Sequence, residues 1–375
     1  MDFGLSEEQE AVRGLAEQIF QGSVTVERVK EVEAGDERVD RDLWKALADA
    51  NLLGISLPES SGGSGLGFTE VTLVLEQQGR VVAPVPYWAT VVCGALPIAE
   101  HGSKDQQERW LPGVVTGEVI LSSALAEIGV NDPLSPQVQA TQDGANSEGG
   151  GWTLTGRKVA VPAGHVADAI LVPASTTDGV AVFLVETNAK GVTREAAVTT
   201  DRSKVAHVDF ASTPAEPLGA VADGERIVRW MLDRALLGLC AIQIGVCEEA
   251  VRMAAEYTNQ REQFGVPLST VQGAQIRAAD AYIDTEAIRV TTQQAAWKMD
   301  VGQDASTDVL VAKWWASDAG QHAVHQTQHL HGGMGADIDY PVHRYFLWGK
   351  QIEDTLGGAT ATLARLGAEL TNMGA

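Results

Sequence analysis

The chain has 375 residues and is strongly acidic, with 27 Lys and Arg against 50 Asp and Glu and a formal net charge of −23. This charge argues against binding to nucleic acid or to anionic lipid, because both need a basic protein surface. Apolar residues make up 45% of the chain, which is enough to bury a large core. The length predicts two or three domains of roughly 100–200 residues each.

The sequence predicts neither a membrane-spanning helix nor a secretion signal. The longest uncharged run, residues 81–99, contains three prolines, which would break a membrane-spanning helix. The acidic opening MDFGLSEEQE predicts no signal or transit peptide. Cys240 and Cys247 lie on one predicted helix about 10 Å apart, too far for a disulfide. We therefore expect a soluble, cytoplasmic protein that binds no membrane.

The first part of the chain, residues 1–118, is predicted to be helical. Ser6 and Gln9 form a capping-box pattern, and apolar residues follow them at helical spacing. A loop rich in Pro, Gly and Ser covers residues 58–67, and a second amphipathic helix is predicted over residues 69–78.

The second part, residues 119–220, has a β pattern. Short β-rich runs at 152–155, 169–172 and 180–185 are separated by turn signals at 143–144, 149–151 and 177–179. Such regular spacing predicts a small barrel or sandwich. Helical periodicity returns over residues 221–375, with long helices expected around residues 236–244 and 274–299. We therefore predict three domains with boundaries near residues 118 and 220.

The first candidate functional segment covers residues 257–272, YTNQREQFGVPLSTVQ. Its pattern predicts a helix that stops at Gly265 with Arg261 and Phe264 on the last turn, followed by a helix that carries Gln272. An arginine beside an exposed aromatic side chain suits a phosphate and a stacked ring. An ordinary helical hairpin with a surface arginine explains the same residues.

The second segment, residues 328–335, reads QHLHGGMG. Gly332 and Gly333 would let a ligand approach the backbone and leave amides free for an anion, but taken alone they are better explained as a helix C-cap. His322, His325 and His329 lie on one predicted helix face, but no nearby Cys or carboxylate completes a set of metal ligands. We therefore predict no metal site.

A third segment, DYPVHRYF at residues 339–346, predicts a turn followed by a helix start. The order and separation of the three segments resemble the acyl-CoA dehydrogenase family, and the resemblance extends to residues 2–9 and to LPESSGG at residues 57–63. It implies an α+β multidomain fold with an N-terminal helical domain, a central β-barrel and a C-terminal four-helix bundle.

The resemblance also implies FAD and the α,β-dehydrogenation of an acyl-CoA thioester, with a glutamate as the base. In this family FAD lies across a subunit interface, so that one chain holds the flavin ring and its neighbour contacts the adenosine end. The resemblance assigns this neighbour's role to six residues of the chain: Arg261, Phe264, Gln272, His329, Gly332 and Gly333. His329 stands where the family has glutamine.

The residues that hold the flavin ring in the family are replaced here. Its T-E-P-x-x-G-S-D loop reads LAEIGVND at residues 125–132. The Trp and Thr of its G-x-K-x-W-I-T stretch correspond to Ala160 and Pro162. Ala160 cannot cover a ring, and Pro162 has neither a hydroxyl group nor a backbone N–H to donate.

The catalytic glutamate of most relatives corresponds to Leu356 or Gly358, depending on the alignment, and that of other relatives corresponds to Ala235. None of these side chains can accept a proton, so we predict no catalytic residue in this chain. The carboxylates that lie nearest in sequence to these positions are Glu353, Asp354 and Asp233.

This combination resembles the non-catalytic subunit of the α2β2 acyl-CoA dehydrogenases with which actinobacteria oxidise steroid (cholesterol) side chains. The resemblance implies a catalytic partner that carries the base and the flavin ring and binds most of the acyl-CoA substrate. Two alternatives remain open. The chain could be a self-sufficient homotetrameric dehydrogenase with a relocated base, or a binding protein without flavin.

Overall fold

The structure is a computed structural model that describes residues 4–130, 132–142 and 151–373. The chain forms two compact units. The first, here called the bundle unit, comprises Met1–Glu31, Gly67–Ala83 and Leu236–Ala375; the second, here called the sheet unit, comprises Val32–Leu66 and Pro84–Ala235. The predicted domain boundaries near residues 118 and 220 stay a prediction.

Helices dominate the N-terminal part, as predicted. They are α1 (Glu7–Ser23), α2 (Val26–Ala34), α3 (Arg41–Asp49), α4 (Phe68–Arg80), α5 (Leu96–His101) and α6 (Lys104–Val115), with a π-helical segment at Trp88–Ala95. The predicted capping box of α1 is present, because the Gln9 N–H donates to the Ser6 hydroxyl and the Ser6 N–H donates to the Gln9 side chain. The helix predicted over residues 69–78 is α4.

The sheet unit contains the predicted β structure. Its strands are β1 (Leu121–Ser123), β2 (Gln139–Gln142), β3 (Trp152–Pro162), β4 (Ala169–Thr176), β5 (Gly179–Glu186), β6 (Val192–Val198) and β7 (Lys204–Pro217). They pair in the order β1-β4-β2-β3-β7-β5, and β6 pairs with β7. Because β4 also pairs with β5, the sheet closes into a barrel-like ring, which confirms the predicted architecture. The turn signals at residues 143–150 lie outside the described residues.

The C-terminal part is helical, as predicted. Its helices are α7 (Gly224–Gln260), α8 (Gln272–Asp300), α9 (Ser306–Leu330), α10 (Val342–Asp354) and α11 (Ala359–Met373). Helices α8, α10 and α11 pack against α9. Among the described residues, one stretch, Val221–Gln260, is long and apolar enough to span a membrane, but 83% of its apolar window is buried inside the protein, as in a core helix.

Candidate functional site

The segment that follows α7 is a β-hairpin. Helix α7 ends at Gln260, and Glu262–Gln263 (β8) pairs with Val266–Pro267 (β9). Phe264 and Gly265 form its tip with φ angles of +57° and +80°, the pattern of a type I′ turn. The prediction that the helix continues to Gly265 is therefore wrong. We call residues 261–267 the Arg261 hairpin.

The Arg261 hairpin presents its side chains to solvent. Phe264 is 96% exposed and has a left-handed backbone that bulky residues rarely adopt. The Arg261 N–H donates to the Tyr257 carbonyl (2.8 Å), and the Arg261 carbonyl accepts the Leu268 N–H (2.8 Å). A fixed backbone thus holds an exposed guanidinium group at the base of the hairpin and an exposed ring at its tip.

The glycine segment is a short 3₁₀ turn, Gly332–Ala336, which follows α9 and is here called the glycine turn. Gly332 has a φ of +57°, which favours glycine. A Cβ added at Gly332 or Gly333 would have no neighbouring atom within 4 Å, so a ligand can approach the backbone there. This open space is what a ligand contact at the glycines requires, while the left-handed Gly332 also caps the end of α9.

All six residues predicted to contact FAD are exposed and belong to the bundle unit. A contact that the sequence does not reveal joins residues just before the Arg261 hairpin and just before the glycine turn. The Tyr257 ring stacks on the His331 ring, with centroids 4.7 Å apart and an interplanar angle of 29°. Gln272 begins α8, and His329 lies on the last turn of α9.

The histidine face of α9 forms a polar network. Nδ1 of His322 lies 2.5 Å from a carboxylate oxygen of Asp284, and its Nε2 lies 2.7 Å from Gln326. Gln326 also accepts a hydrogen bond from Arg277. Asp284, which α8 supplies, is a carboxylate beside His322 that lies far from the histidines in sequence. Within the described ranges, no group of three possible metal ligands converges.

A buried lysine forms hydrogen bonds with the end of α10, just before the positions that the resemblance aligns with the catalytic glutamate. Lys313 on α9 donates to the carbonyls of Ile352 (2.7 Å) and Glu353 (3.1 Å) and to the Ser317 hydroxyl (2.9 Å). Burial lowers the pKa of Lys313 to about 8. A cation at the C-terminal end of α10 is favourable, since the helix dipole is negative there.

The loop after α10 has an irregular backbone, with φ angles of +59° at Leu356 and +108° at Gly357. The two carboxylates just before this loop, Glu353 and Asp354, form ion pairs with Lys350. Lys350 lies 2.9 Å from Glu353 and 3.6 Å from Asp354.

In the sheet unit, the stretches that correspond to the family's flavin-ring contacts are engaged within the unit. Lys158 and Glu127 form a buried ion pair of 2.6 Å. The Ala160 N–H donates to Nδ1 of His207 (3.2 Å), and the Pro162 carbonyl accepts the Ser122 hydroxyl (2.5 Å). Asn131 lies outside the described residues.

Position 235, which the resemblance aligns with the base of other relatives, is also buried. Ala235 is fully buried, and its carbonyl accepts the indole N–H of Trp88 (2.9 Å). Asp233 lies nearby on α7 and is half-buried.

Comparison with known proteins defines the family. The model of the acyl-CoA dehydrogenase N-terminal domain matches residues 6–118, and that of the C-terminal domain matches residues 222–370. The acyl-CoA dehydrogenase FadE27 of Mycobacterium tuberculosis is 40% identical over 379 residues, covering 99% of both chains. The chain belongs to the acyl-CoA dehydrogenase family.

Two solved structures are closely similar. A variant of the Tcur3481–Tcur3483 steroid ACAD is 46% identical with a TM-score of 0.93, covering 98% of this chain and 99% of that chain. The ChsE4–ChsE5 complex of Mycobacterium tuberculosis contains a chain that is 40% identical with a TM-score of 0.92, covering 99% of each. Both names describe assemblies of two different chains.

Proposed function

We propose that this chain is the non-catalytic subunit of an α2β2 acyl-CoA dehydrogenase that desaturates the CoA thioester of a steroid side chain. Its catalytic partner supplies the base, holds the flavin ring and binds most of the substrate. This chain contributes the contacts to the diphosphate and adenosine end of FAD: Arg261, Phe264, Gln272, His329, Gly332 and Gly333.

The observation that carries the proposal is the difference between the two halves of the FAD site. The adenosine half offers an exposed arginine and an exposed ring on the Arg261 hairpin, together with accessible glycines. These groups fit a diphosphate and an adenine, since arginine pairs with phosphate oxygens and aromatic rings stack. The residues at the flavin-ring half do not fit, because Ala160 has no ring to cover a flavin and its N–H already donates to His207, and Pro162 has neither a hydroxyl group nor an N–H to donate.

The absence of a base at the family's positions also supports a non-catalytic role. Leu356, Gly358 and Ala235 carry no ionisable group. Glu353 and Asp354 lie at the end of α10, where both form ion pairs with Lys350. Bound FAD would supply the hydride acceptor, and proton abstraction would fall to the partner.

An exposed apolar surface supports assembly with another chain. Ile276, Ile283 and Val290 recur every seventh residue along the outer face of α8 and are 54%, 63% and 47% exposed. We call these three residues the apolar stripe. A row of large apolar side chains in water marks a protein interface. The names of the two similar assemblies each join two different chains, which supports a second chain as the partner.

The test is to co-express the chain with acyl-CoA dehydrogenases encoded near its gene, purify the complex and count flavin and protein. We expect one FAD per heterodimer, and no bound flavin when the chain is purified alone. Two flavins per heterodimer would contradict the proposal. A yellow chain that oxidises acyl-CoA by itself would show a self-sufficient enzyme, and a colourless complex would show a binding protein.

A further inference from the structure

Three aromatic rings from separate segments meet in the bundle unit beside the adenosine half of the FAD site. Tyr257 lies on the last turns of α7, His331 follows α9, and Tyr340 precedes α10. The His331 centroid lies 4.7 Å from that of Tyr257 and 5.3 Å from that of Tyr340. The two tyrosine rings lie 6.4 Å apart in an edge-to-face arrangement.

His331 is the fixed centre of this cluster. Its side chain is 2% exposed, and its Nδ1 lies 2.7 Å from the Thr327 carbonyl. Because a carbonyl only accepts, Nδ1 must carry the proton, which leaves Nε2 as an acceptor without a partner among the described residues. Burial lowers the pKa of His331 and so favours the neutral ring, whose orientation is set by the hydrogen bond to the Thr327 carbonyl.

The stack connects the backbones of the two FAD-contact segments. On one side, the Tyr257 carbonyl accepts the Arg261 N–H (2.8 Å), which fixes the start of the Arg261 hairpin. On the other side, His331 is bonded directly to Gly332, the first residue of the glycine turn. The stack therefore lies between the residue that anchors the Arg261 hairpin and the residue that precedes the glycine turn.

We propose that Tyr257 and His331 are positioning residues that set the distance between the Arg261 hairpin and the glycine turn, so that both contact the adenosine diphosphate end of one FAD molecule. This inference rests on the proposed function, in which the two segments bind the same cofactor. Neither ring needs to touch FAD. Their role is to keep two separate contacts in one geometry, which lowers the entropy lost on binding.

The experiment measures how fast FAD leaves the co-expressed complex at a temperature well below its melting transition. Tyr257→Leu removes the stack and should speed FAD release by about 2- to 10-fold, the range expected for one aromatic pair. Tyr257→Phe keeps the ring and should restore the wild-type rate to within about twofold. Subunit assembly and the melting temperature are measured on the same samples.

A second pair of variants covers the case in which Tyr257→Leu fails to fold. His331→Leu should speed FAD release, and His331→Phe should restore most of the wild-type rate because the stacked ring remains. If the Leu variants lower the melting temperature while release stays unchanged, the rings serve only the core and the inference is wrong.

Arg261→Ala, measured in parallel, separates the inference from the proposed function. If Arg261→Ala leaves FAD release unchanged, the proposed FAD contact itself fails. If Arg261→Ala speeds release and neither Leu variant does, the FAD contact stands and the positioning role of Tyr257 and His331 is refuted.

Discussion

At the scale of single residues, Phe264 combines two unfavourable features. Its backbone is left-handed with a φ of +57°, and its ring is 96% exposed. A strained conformation of this kind costs of order 1–3 kcal/mol and persists where the surrounding structure imposes it, often at functional sites. Neither feature helps an isolated chain to fold. Both are explained if the ring covers the adenine of FAD held mainly by the partner.

Arg261 is the residue on which FAD retention should depend most directly. Arg261→Ala removes a charge-assisted contact to the diphosphate, worth about 1.5–3 kcal/mol. We expect the complex to assemble normally but to lose FAD during extended dialysis, measured by flavin absorbance per heterodimer. Gln18→Ala, a truncation at an exposed position of α1, is the control. Unchanged flavin content in Arg261→Ala would identify Arg261 as an ordinary surface residue.

The carboxylates closest to the family's catalytic positions should not matter for turnover. We expect Glu353→Gln, Asp354→Asn and Asp233→Asn, made singly, to stay within a few-fold of wild type, since removal of a general base typically costs about 10²–10⁴ in rate. The measurement is kcat of the purified complex with acyl-CoA. Loss of the partner's catalytic carboxylate is the positive control. A hundredfold drop in any of the three variants, with FAD bound, would make this chain catalytic.

At the scale of secondary-structure elements, Lys313 links α9 to the end of α10. It is fully buried, yet it donates to two carbonyls and one hydroxyl. These hydrogen bonds satisfy carbonyls that the end of a helix leaves without backbone donors. The loop that begins at Thr355 is thereby anchored at its start.

The buried lysine should make stability depend on pH in a defined window. Its pKa is about 8 in the folded chain and 10.5 without the fold. Between these values the unfolded chain binds a proton that the folded chain has released, so stability rises with pH by up to about 3 kcal/mol. Lys313→Met should abolish this rise. The free energy of unfolding of the wild type and of Lys313→Met is measured with urea at a fixed protein concentration between pH 7.5 and 10.5. If both free energies change with pH in parallel, the prediction is wrong.

At the scale of the whole molecule, the apolar stripe of α8 is expected to be buried in the assembly. Ile283→Glu would place a charge in that interface, where burying it without a partner costs several kcal/mol. We expect this variant to fold but to shift from heterotetramer to smaller species in size-exclusion chromatography with light scattering. Gln18→Glu adds the same charge on exposed α1 and should assemble normally. A heterotetramer of unchanged stability in Ile283→Glu would place the interface elsewhere.

Much of the fold could be predicted from local patterns. The capping box of α1, the extent of α4 and the long α8 follow from apolar residues at helical spacing, which reflect one buried face. The Arg261 hairpin was missed because its residues have no β pattern, and Gly265 resembles a helix stop. Strand β6 was missed because most of its side chains are exposed and do not alternate with buried ones. Strand β7 was missed although every second residue from Ala206 to Phe210 is buried.

The family, the candidate FAD contacts and the lack of an ionisable residue at Leu356, Gly358 and Ala235 can be read from the sequence, because they depend on residue identity and spacing. The exposure of Phe264 on a hairpin and the stacking of Tyr257 on His331 are visible in the folded chain alone. The tertiary structure also showed that Asp284 reaches His322 from another helix. Side-chain periodicity reports which face of one element is buried, whereas contacts between distant segments depend on how the helices pack.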